Sequence, residues 1–204
     1  MTIRDLRTRM FDNSSMEEFT DVFHVNVTGA YFTLLAFLEL LDAGNRNAIK
    51  GGFGTPLIAG TNVPSIQSQV IINSSVSAYS RDKQCPPAHI GSKSAIAHLT
   101  KHASTNLAKY EIRVNGLLPG FIPSETSESI ISTRDPGKEG PDNEDYIPVR
   151  RFGGIEEMAG SVLYLASRAG SFCNGLMLLN DGGRICVMNS EYKLCFPSQT
   201  IRSF

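Results

Sequence analysis

The sequence lacks the patterns that mark a metal site or a passage through a membrane. Its four cysteines are irregularly spaced, form no Cys-x-x-Cys pair and have no histidine at zinc-ligand distance: Cys85, Cys173, Cys186 and Cys195. We therefore expect no metal site, and free thiols of the kind found in a reducing cytosol. No apolar run reaches membrane-spanning length, and the first residues lack the apolar segment of a secretory signal. A cytoplasmic protein is expected.

An excess of charge of one sign is also absent. Lysine and arginine total 19 against 20 aspartates and glutamates, which gives a formal net charge of −1. This balance argues against the electrostatic surface needed to bind nucleic acid or an anionic membrane. With 204 residues and 41% hydrophobic content, the chain can bury one sizeable core. We therefore expect a single domain over residues 1–204.

Hydrophobic periodicity predicts helices and strands in alternation. A helix begins at Ser14-Ser15, because a serine followed three residues later by glutamate can satisfy the first free amides of a helix. Apolar residues at three- and four-residue spacing continue this helix to about residue 43. Further helices are predicted at 88–108 and 155–167, and buried strands at 70–72, 112–118 and 176–180. This order corresponds to the second half of a doubly wound parallel α/β sheet.

The segments between these elements are assigned from their composition. Residues 1–13 are expected to form an N-terminal arm, and the glycines and prolines of 44–69 predict a long loop. The polar stretch within 121–153 predicts a mobile, lid-like substrate loop, and 184–204 form a C-terminal tail. The strand at 70–72 would have one unpaired edge, which the arm, the loop or a partner must cover.

Several blocks of sequence resemble the short-chain dehydrogenase/reductase family. Phe19 to Gly29 is similar to the family helix that carries an active-site asparagine, here Asn26. Val70 to Ser75, Ala88 to Lys93 and Ile112 to Gly120 resemble the strand that ends in serine, the helix with Tyr-x-x-x-Lys and the strand that ends in Pro-Gly. Arg151 to Ala159 and Leu176 to Gly183 resemble the late helix and the last strand. The matches run in family order.

The resemblance implies a catalytic tetrad at Asn26, Ser75, His89 and Lys93, with His89 at the position of the family's tyrosine. In the family, the serine holds the substrate oxygen and the tyrosine transfers its proton. The lysine lowers the tyrosine pKa and binds the nicotinamide ribose, while the asparagine supports a water relay. Ser74 is an alternative to Ser75, because the following loop can absorb one residue. His89 is either a residue of a dead site or a retuned general base.

Two further expectations concern the surroundings of the tetrad. His89 and Lys93 share a helix face, so the ammonium should keep the imidazole mostly neutral near pH 7. Residues 119–124 resemble the loop that touches the nicotinamide through its backbone near Ile122 and a hydroxyl near Ser124. The side chains expected to line a pocket for a small hydrophobic metabolite are Ser74, Tyr79, Phe121, Ile122, Ser124 and Phe152.

The Gly-rich fingerprint that cradles a dinucleotide pyrophosphate in this family does not occur in the sequence. We therefore expect an N-terminally truncated member without NAD(P). The leading hypothesis is a non-redox enzyme for isomerisation, cyclisation or dehydration of a small hydrophobic carbonyl- or hydroxyl-bearing metabolite. One alternative is a non-catalytic subunit that pairs with a full-length relative, and another is an NAD(P)H-dependent reductase represented by an incomplete chain. A homo-oligomer, or a heteromer with a full-length relative, is expected from helices 16–43 and 88–108.

Overall fold

The computed structural model describes residues 2–83, 85–125 and 127–188, which form an α/β fold around a parallel three-stranded sheet. The strands are β1 (Gln69–Asn73), β2 (Arg113–Pro119) and β3 (Met177–Asn180), in the order β1-β2-β3. Helices join consecutive strands, as parallel pairing requires. The predicted fold class, the C-terminal half of a doubly wound sheet, is confirmed.

Eight α-helices surround the sheet in the part of the chain that the structure describes. Their bounds are α1 Ile3–Arg7, α2 Met16–Phe23, α3 Ala30–Ala36, α4 Leu38–Ile49, α5 Pro87–Leu107, α6 Glu128–Ile131, α7 Ile155–Ala166 and α8 Arg184–Val187. The main predicted helices and strands agree with these bounds to within a few residues. Residues 189–204, which include Cys195 and most of the predicted tail, lie outside the described residues.

The predicted helix at 16–43 is a series of helical segments. Ser15 caps α2, since its Oγ accepts from the Glu18 amide at 3.0 Å while the Glu18 carboxylate accepts from the Ser15 amide. A π-helical segment, His24–Gly29, separates α2 from α3, and Phe37 separates α3 from α4. No single helix among the described residues is long and apolar enough to cross a membrane, although the stretches on either side of Phe37, bent by 43°, pass that test together.

The predicted start of the long loop is wrong, because α4 continues through Gly44 to Ile49. Gly44 is explained by close packing, since a Cβ there would lie 2.7 Å from Ser68 Oγ. Buried Asn45 ties the helix to two distant segments: it accepts from the Ser68 amide at 2.7 Å and donates to the Glu111 carbonyl at 2.9 Å. These tertiary contacts hold the last turns of α4 in place, so the loop covers 50–68.

The N-terminal residues that the structure describes do not add a strand to the free edge of β1, which was one of the ways in which that edge could be covered. Residues 3–12 are helical, as α1 followed by a π-helical turn, and none of them is buried. In the described ranges no strand pairs with the second edge of β1. The hydrophobic core instead lies where α3 and α5 pack against β1 and β2, and it includes Leu34, Ile72, Ile96 and Val114. This packing fixes the position of α5, which carries His89 and Lys93.

Candidate active site

The π-helical segment at 24–29 brings Asn26 against the first turns of α5. Asn26 Nδ2 donates to Ser92 Oγ at 3.0 Å, and Ser92 Oγ in turn donates to the His89 carbonyl oxygen at 2.9 Å. Ser92 is completely buried, so this chain of hydrogen bonds is shielded from water. Single π-helical turns occur frequently at functional sites. The structure therefore joins two predicted tetrad members, which are 63 positions apart in the sequence, through one buried serine.

His89 and Lys93 lie one turn apart on α5, and both are half-buried. The pKa of His89 is lowered from its ordinary value, first by burial of the ring and second by the Lys93 ammonium. The predicted direction of the pKa shift is thus confirmed. Its predicted cause, the lysine, is the smaller of the two, because sequence alone could not reveal the burial. A neutral imidazole can accept a proton but is a poor donor.

The ammonium of Lys93 has no compensating charge among the residues that the structure describes. Burial alone lowers its pKa, and no hydrogen bond or ion pair joins its Nζ to any residue of the described ranges. A half-buried cation without an acceptor is disfavoured relative to one in water. The position therefore offers an unsatisfied donor to any hydroxyl or anion that binds beside His89.

The two candidate serines at the end of β1 have different surroundings. Ser74 is 4% exposed, and its Oγ donates to the Lys93 carbonyl oxygen at 2.9 Å, which ties β1 to α5. Ser75 is half-buried, and its Oγ accepts from the Ser77 amide at 3.1 Å, where it caps the 3-10 turn Val76–Ala78. The Ser75 hydroxyl hydrogen is not used in this contact, so it remains available for a substrate oxygen.

The residues predicted to line the pocket do not form one apolar group. Tyr79 is 44% exposed, and its ring faces Lys101 Nζ at 6.0 Å, about two turns beyond Lys93 along α5. Ser124 is exposed and its Oγ lies 2.9 Å from Ser127 Oγ, which also donates to the Ile122 carbonyl at 2.6 Å. These contacts fold the segment after β2 into a tight turn.

Phe121 and Phe152 do meet, edge to face, with ring centroids 6.2 Å apart. Both rings border a small cavity of about 110 Å³ at the carboxyl end of β3, which is also lined by Ile147, Arg151 and Asp181. None of the four tetrad residues lines this cavity. The cavity therefore lies where the predicted substrate loop meets the end of β3, away from the predicted tetrad.

Sequence reasoning missed an ion network next to Phe121. Arg184 Nη2 lies 2.8 Å from Asp145 Oδ1 and 3.3 Å from Asp82 Oδ2, and the Arg184 side chain is only 5% exposed. Arg134 makes a two-pronged contact with Glu139, at 2.9 and 2.7 Å. The only local signal was the position of Arg184, directly after the Asp-Gly-Gly turn that follows the last strand.

Comparison with known proteins identifies the class to which this α/β scaffold belongs. The family profile described as Enoyl-(Acyl carrier protein) reductase matches residues 58–184. The short-chain dehydrogenase/reductase SAT3 of Stachybotrys chartarum is 62% identical over 192 residues, which covers 94% of this chain and 70% of SAT3. The structure of ElxO with NADP bound has a TM-score of 0.64 at 21% identity, covering 87% of this chain and 62% of ElxO. The chain belongs to the short-chain dehydrogenase/reductase family.

Other relatives agree with this assignment but extend well beyond the match. PhomF of Diaporthe leptostromiformis, also named a short-chain dehydrogenase/reductase, is 40% identical over 174 residues, which covers 85% of this chain and 55% of PhomF. The chain thus spans little more than half the length of some curated relatives and 70% of SAT3. The predicted family is confirmed. It is an enzyme family whose named members here are dehydrogenases and reductases.

Two expectations from the sequence are overturned by these comparisons. The non-redox hypothesis of an isomerase, cyclase or dehydratase is wrong, because the relatives are named dehydrogenases or reductases, among them a gluconate 5-dehydrogenase of Gluconobacter oxydans. The expected absence of NAD(P) is also contradicted, because the relatives that show the family are named dehydrogenases or reductases, and structures of similar fold are described with NADP or NADPH bound. Both errors arose from the missing glycine fingerprint, which concerns the pyrophosphate and not the nicotinamide end. The comparisons support the alternative of an NAD(P)H-dependent reductase.

Proposed function

We propose that this chain carries the proton-transfer site of an NAD(P)-dependent oxidoreductase that interconverts a hydroxyl and a carbonyl group on a small metabolite. The observation that carries the proposal is the half-buried Lys93 ammonium, which lacks a partner among the described residues and lies one turn from His89. Relatives whose names specify a substrate support a hydroxylated one, such as the D-arabinitol 2-dehydrogenase of Candida albicans, 34% identical over 139 residues.

The residues present fit the nicotinamide end of such a cofactor. NAD(P), when bound, supplies the hydride acceptor or donor of the reaction. Lys93 would hold a ribose hydroxyl with its free ammonium, and the turn at 121–124 after β2 would meet the nicotinamide amide with its backbone and the exposed Ser124 hydroxyl. The sequence contains no Gly-rich fingerprint, so we assign no pyrophosphate contact to its 204 residues.

The side chains of the site then have distinct roles in oxidation of an alcohol. Ser75 holds the substrate oxygen, and neutral His89 takes the proton from the substrate hydroxyl as the carbonyl forms. The proton then passes from the half-exposed ring to water. Asn26 keeps the His89 turn in position through Ser92. Because burial and Lys93 both disfavour the imidazolium, the pKa of His89 is lowered, and more of the resting protein carries the proton-accepting form than an ordinary histidine would give.

Calorimetric titration with NADP⁺ and NAD⁺, followed by assays with a panel of polyols and other secondary alcohols, tests the proposal. We expect one dinucleotide to bind and its nicotinamide to become reduced with at least one alcohol. Failure of both dinucleotides to bind more tightly than about 1 mM, roughly −4 kcal/mol, would contradict the proposal. So would a complete lack of turnover across the panel in the presence of a dinucleotide that does bind.

The two serines at the end of β1 give a paired prediction. Ser75→Ala should lower turnover by about 10²-fold, as expected for loss of one donor to a developing oxyanion, and should also lower the melting temperature modestly, because Ser75 Oγ caps the 3-10 turn at the Ser77 amide. Ser74→Ala should instead lower the free energy of unfolding by about 1 kcal/mol, because it removes a buried hydrogen bond to the α5 backbone. Steady-state kinetics and thermal unfolding of both variants check this. If Ser74→Ala lost turnover and Ser75→Ala lost only stability, Ser74 would be the residue that holds the substrate oxygen.

We also propose that the protein is an oligomer that associates through the helices of residues 16–49. Four large apolar side chains of this stretch are 53–73% exposed: Val25, Phe32, Phe37 and Leu40. Contiguous exposed apolar surface commonly marks an interaction site. Light scattering should show a dimer or larger species at micromolar concentration, and Phe32→Asp should shift it towards monomer. A wild-type monomer would contradict the proposal, and mixing with a full-length relative would test for a heteromer.

A further inference from the structure

Arg184 joins two segments that border the proposed site. Asp82 belongs to the connection from Ser75 to His89, and Asp145 belongs to the substrate loop, residues 121–153. One nitrogen, Arg184 Nη2, reaches both carboxylates, at 3.3 and 2.8 Å. Removal of the guanidinium would take away the one group that contacts both carboxylates, and their mutual repulsion would then be less compensated. The ion bridge of Arg184 therefore holds the two segments close to each other.

The same guanidinium also contacts the turn that follows β2. Arg184 Cζ lies 4.8 Å from the centroid of the Phe121 ring, and Arg134 Cζ lies 5.6 Å from the same centroid. Arg134 organises the loop from within, since its guanidinium grips the Glu139 carboxylate and donates to the Asp145 carbonyl oxygen at 2.8 Å. Arg134 thus stabilises the loop by contacts within it, and Arg184 connects the loop to the rest of the protein. Both guanidinium groups pack on the ring of Phe121.

We propose that Arg184 is a positioning residue, which holds the substrate loop against the segment leading to His89 and thereby sets the affinity for substrate. The proposal rests on the proposed function for its kinetic consequence but not for its structural one. It differs from a general contribution to stability because its two carboxylate partners lie on the loop and on the segment that leads to His89, so its loss should act first on the contact between these two segments. A second, exposed pair between the same segments, Lys83 with Glu144 at 3.6 Å, provides a matched control.

Limited trypsin digestion with mass spectrometry measures the structural consequence directly. The loop contains its own cleavage sites, Arg134 and Lys138, and Lys109 at the end of α5 reports on the rest of the fold. In Arg184→Ala we expect cleavage after Arg134 and Lys138 to rise by about tenfold, with Lys109 unchanged, because only the loop gains an open state. Arg184→Lys should be intermediate, since one ammonium replaces the planar fork. Glu144→Ala should match the wild type, because exposed pairs contribute little.

Two results would overturn the proposal: unchanged cleavage in the loop, or a parallel rise at Lys109 that indicates general unfolding. If Arg184→Ala does not fold, Asp145→Asn removes the loop carboxylate that Arg184 contacts and leaves the pair of Arg184 with Asp82 intact. The same expectation of a tenfold rise in loop cleavage applies to that variant.

In the active protein, Arg184→Ala should raise KM about tenfold while kcat stays within about twofold, because substrate binding must then supply the free energy of closing the loop. A fall in kcat with unchanged KM would count against a positioning role. Absence of any turnover would reject the proposed function, but the cleavage result would still decide the role of Arg184.

Discussion

Turnover should fall by about 10²- to 10⁴-fold when His89 is replaced by alanine, since a positioned general base contributes that much to a reaction rate. The half-buried ring makes no side-chain hydrogen bond within the described ranges, so the melting temperature should change little. Wild-type alcohol oxidation should decline only as the pH falls through the lowered pKa of His89, because the base is lost when the imidazole takes up a proton. The active range should therefore extend to more acidic pH than an ordinary histidine allows.

The variant His89→Tyr supplies the sharper control. It places at this position the residue that the family resemblance implies, beside the same Lys93. We expect it to retain redox turnover, with the fall in rate at acid pH moved upwards, because a phenol titrates about three pH units above an imidazole before any influence of the lysine. His89→Gln should remain as inactive as His89→Ala. Full activity of the alanine variant, or a pH profile identical in the histidine and tyrosine proteins, would exclude His89 as the base.

Replacement of Lys93 by methionine is expected to separate activity from stability. Turnover and dinucleotide affinity should both fall, turnover by about 10²-fold, because the variant loses the charge that meets the ribose and the developing oxyanion. The folded protein should be as stable as the wild type or more so, since methionine removes the penalty of a half-buried ammonium with no acceptor. Calorimetric titration with NADP⁺ and thermal unfolding of the same samples measure the two effects.

The pH dependence of unfolding tests whether the Lys93 ammonium destabilises the folded protein. Burial lowers the pKa of Lys93 in the folded state, so the folded state binds the proton less tightly than the unfolded state does. The penalty is fully present below the folded-state pKa and is relieved as the pH rises through it, so the advantage of Lys93→Met should shrink in alkali. Lys101→Met, an exposed position on the same helix, is the matched control and should change neither property. A marked loss of stability in Lys93→Met would show that the ammonium has a structural partner instead.

Local features of the fold were predictable because their causes are adjacent in the sequence. Ser15 and Glu18 lie three residues apart, so their reciprocal capping contacts could be read directly, and the helix begins there. The short apolar runs that became the three parallel strands were recognisable for the same reason. Gly44 was misread because glycine's low helix propensity is overridden when Ser68 packs against that turn and Asn45 binds two other segments.

The sequence by itself determined the family, the order of the elements and the spacing of His89 and Lys93 on one helix, since each depends on neighbours along the chain. Only the tertiary structure decided that burial is the main cause of the lowered His89 pKa, and that Ser74 donates to the α5 backbone while Ser75 accepts from the Ser77 amide. Only the tertiary structure, again, brought Arg184 to Asp82, 102 positions away. Burial and long-range ion pairs depend on how whole elements pack, and no local pattern encodes that packing.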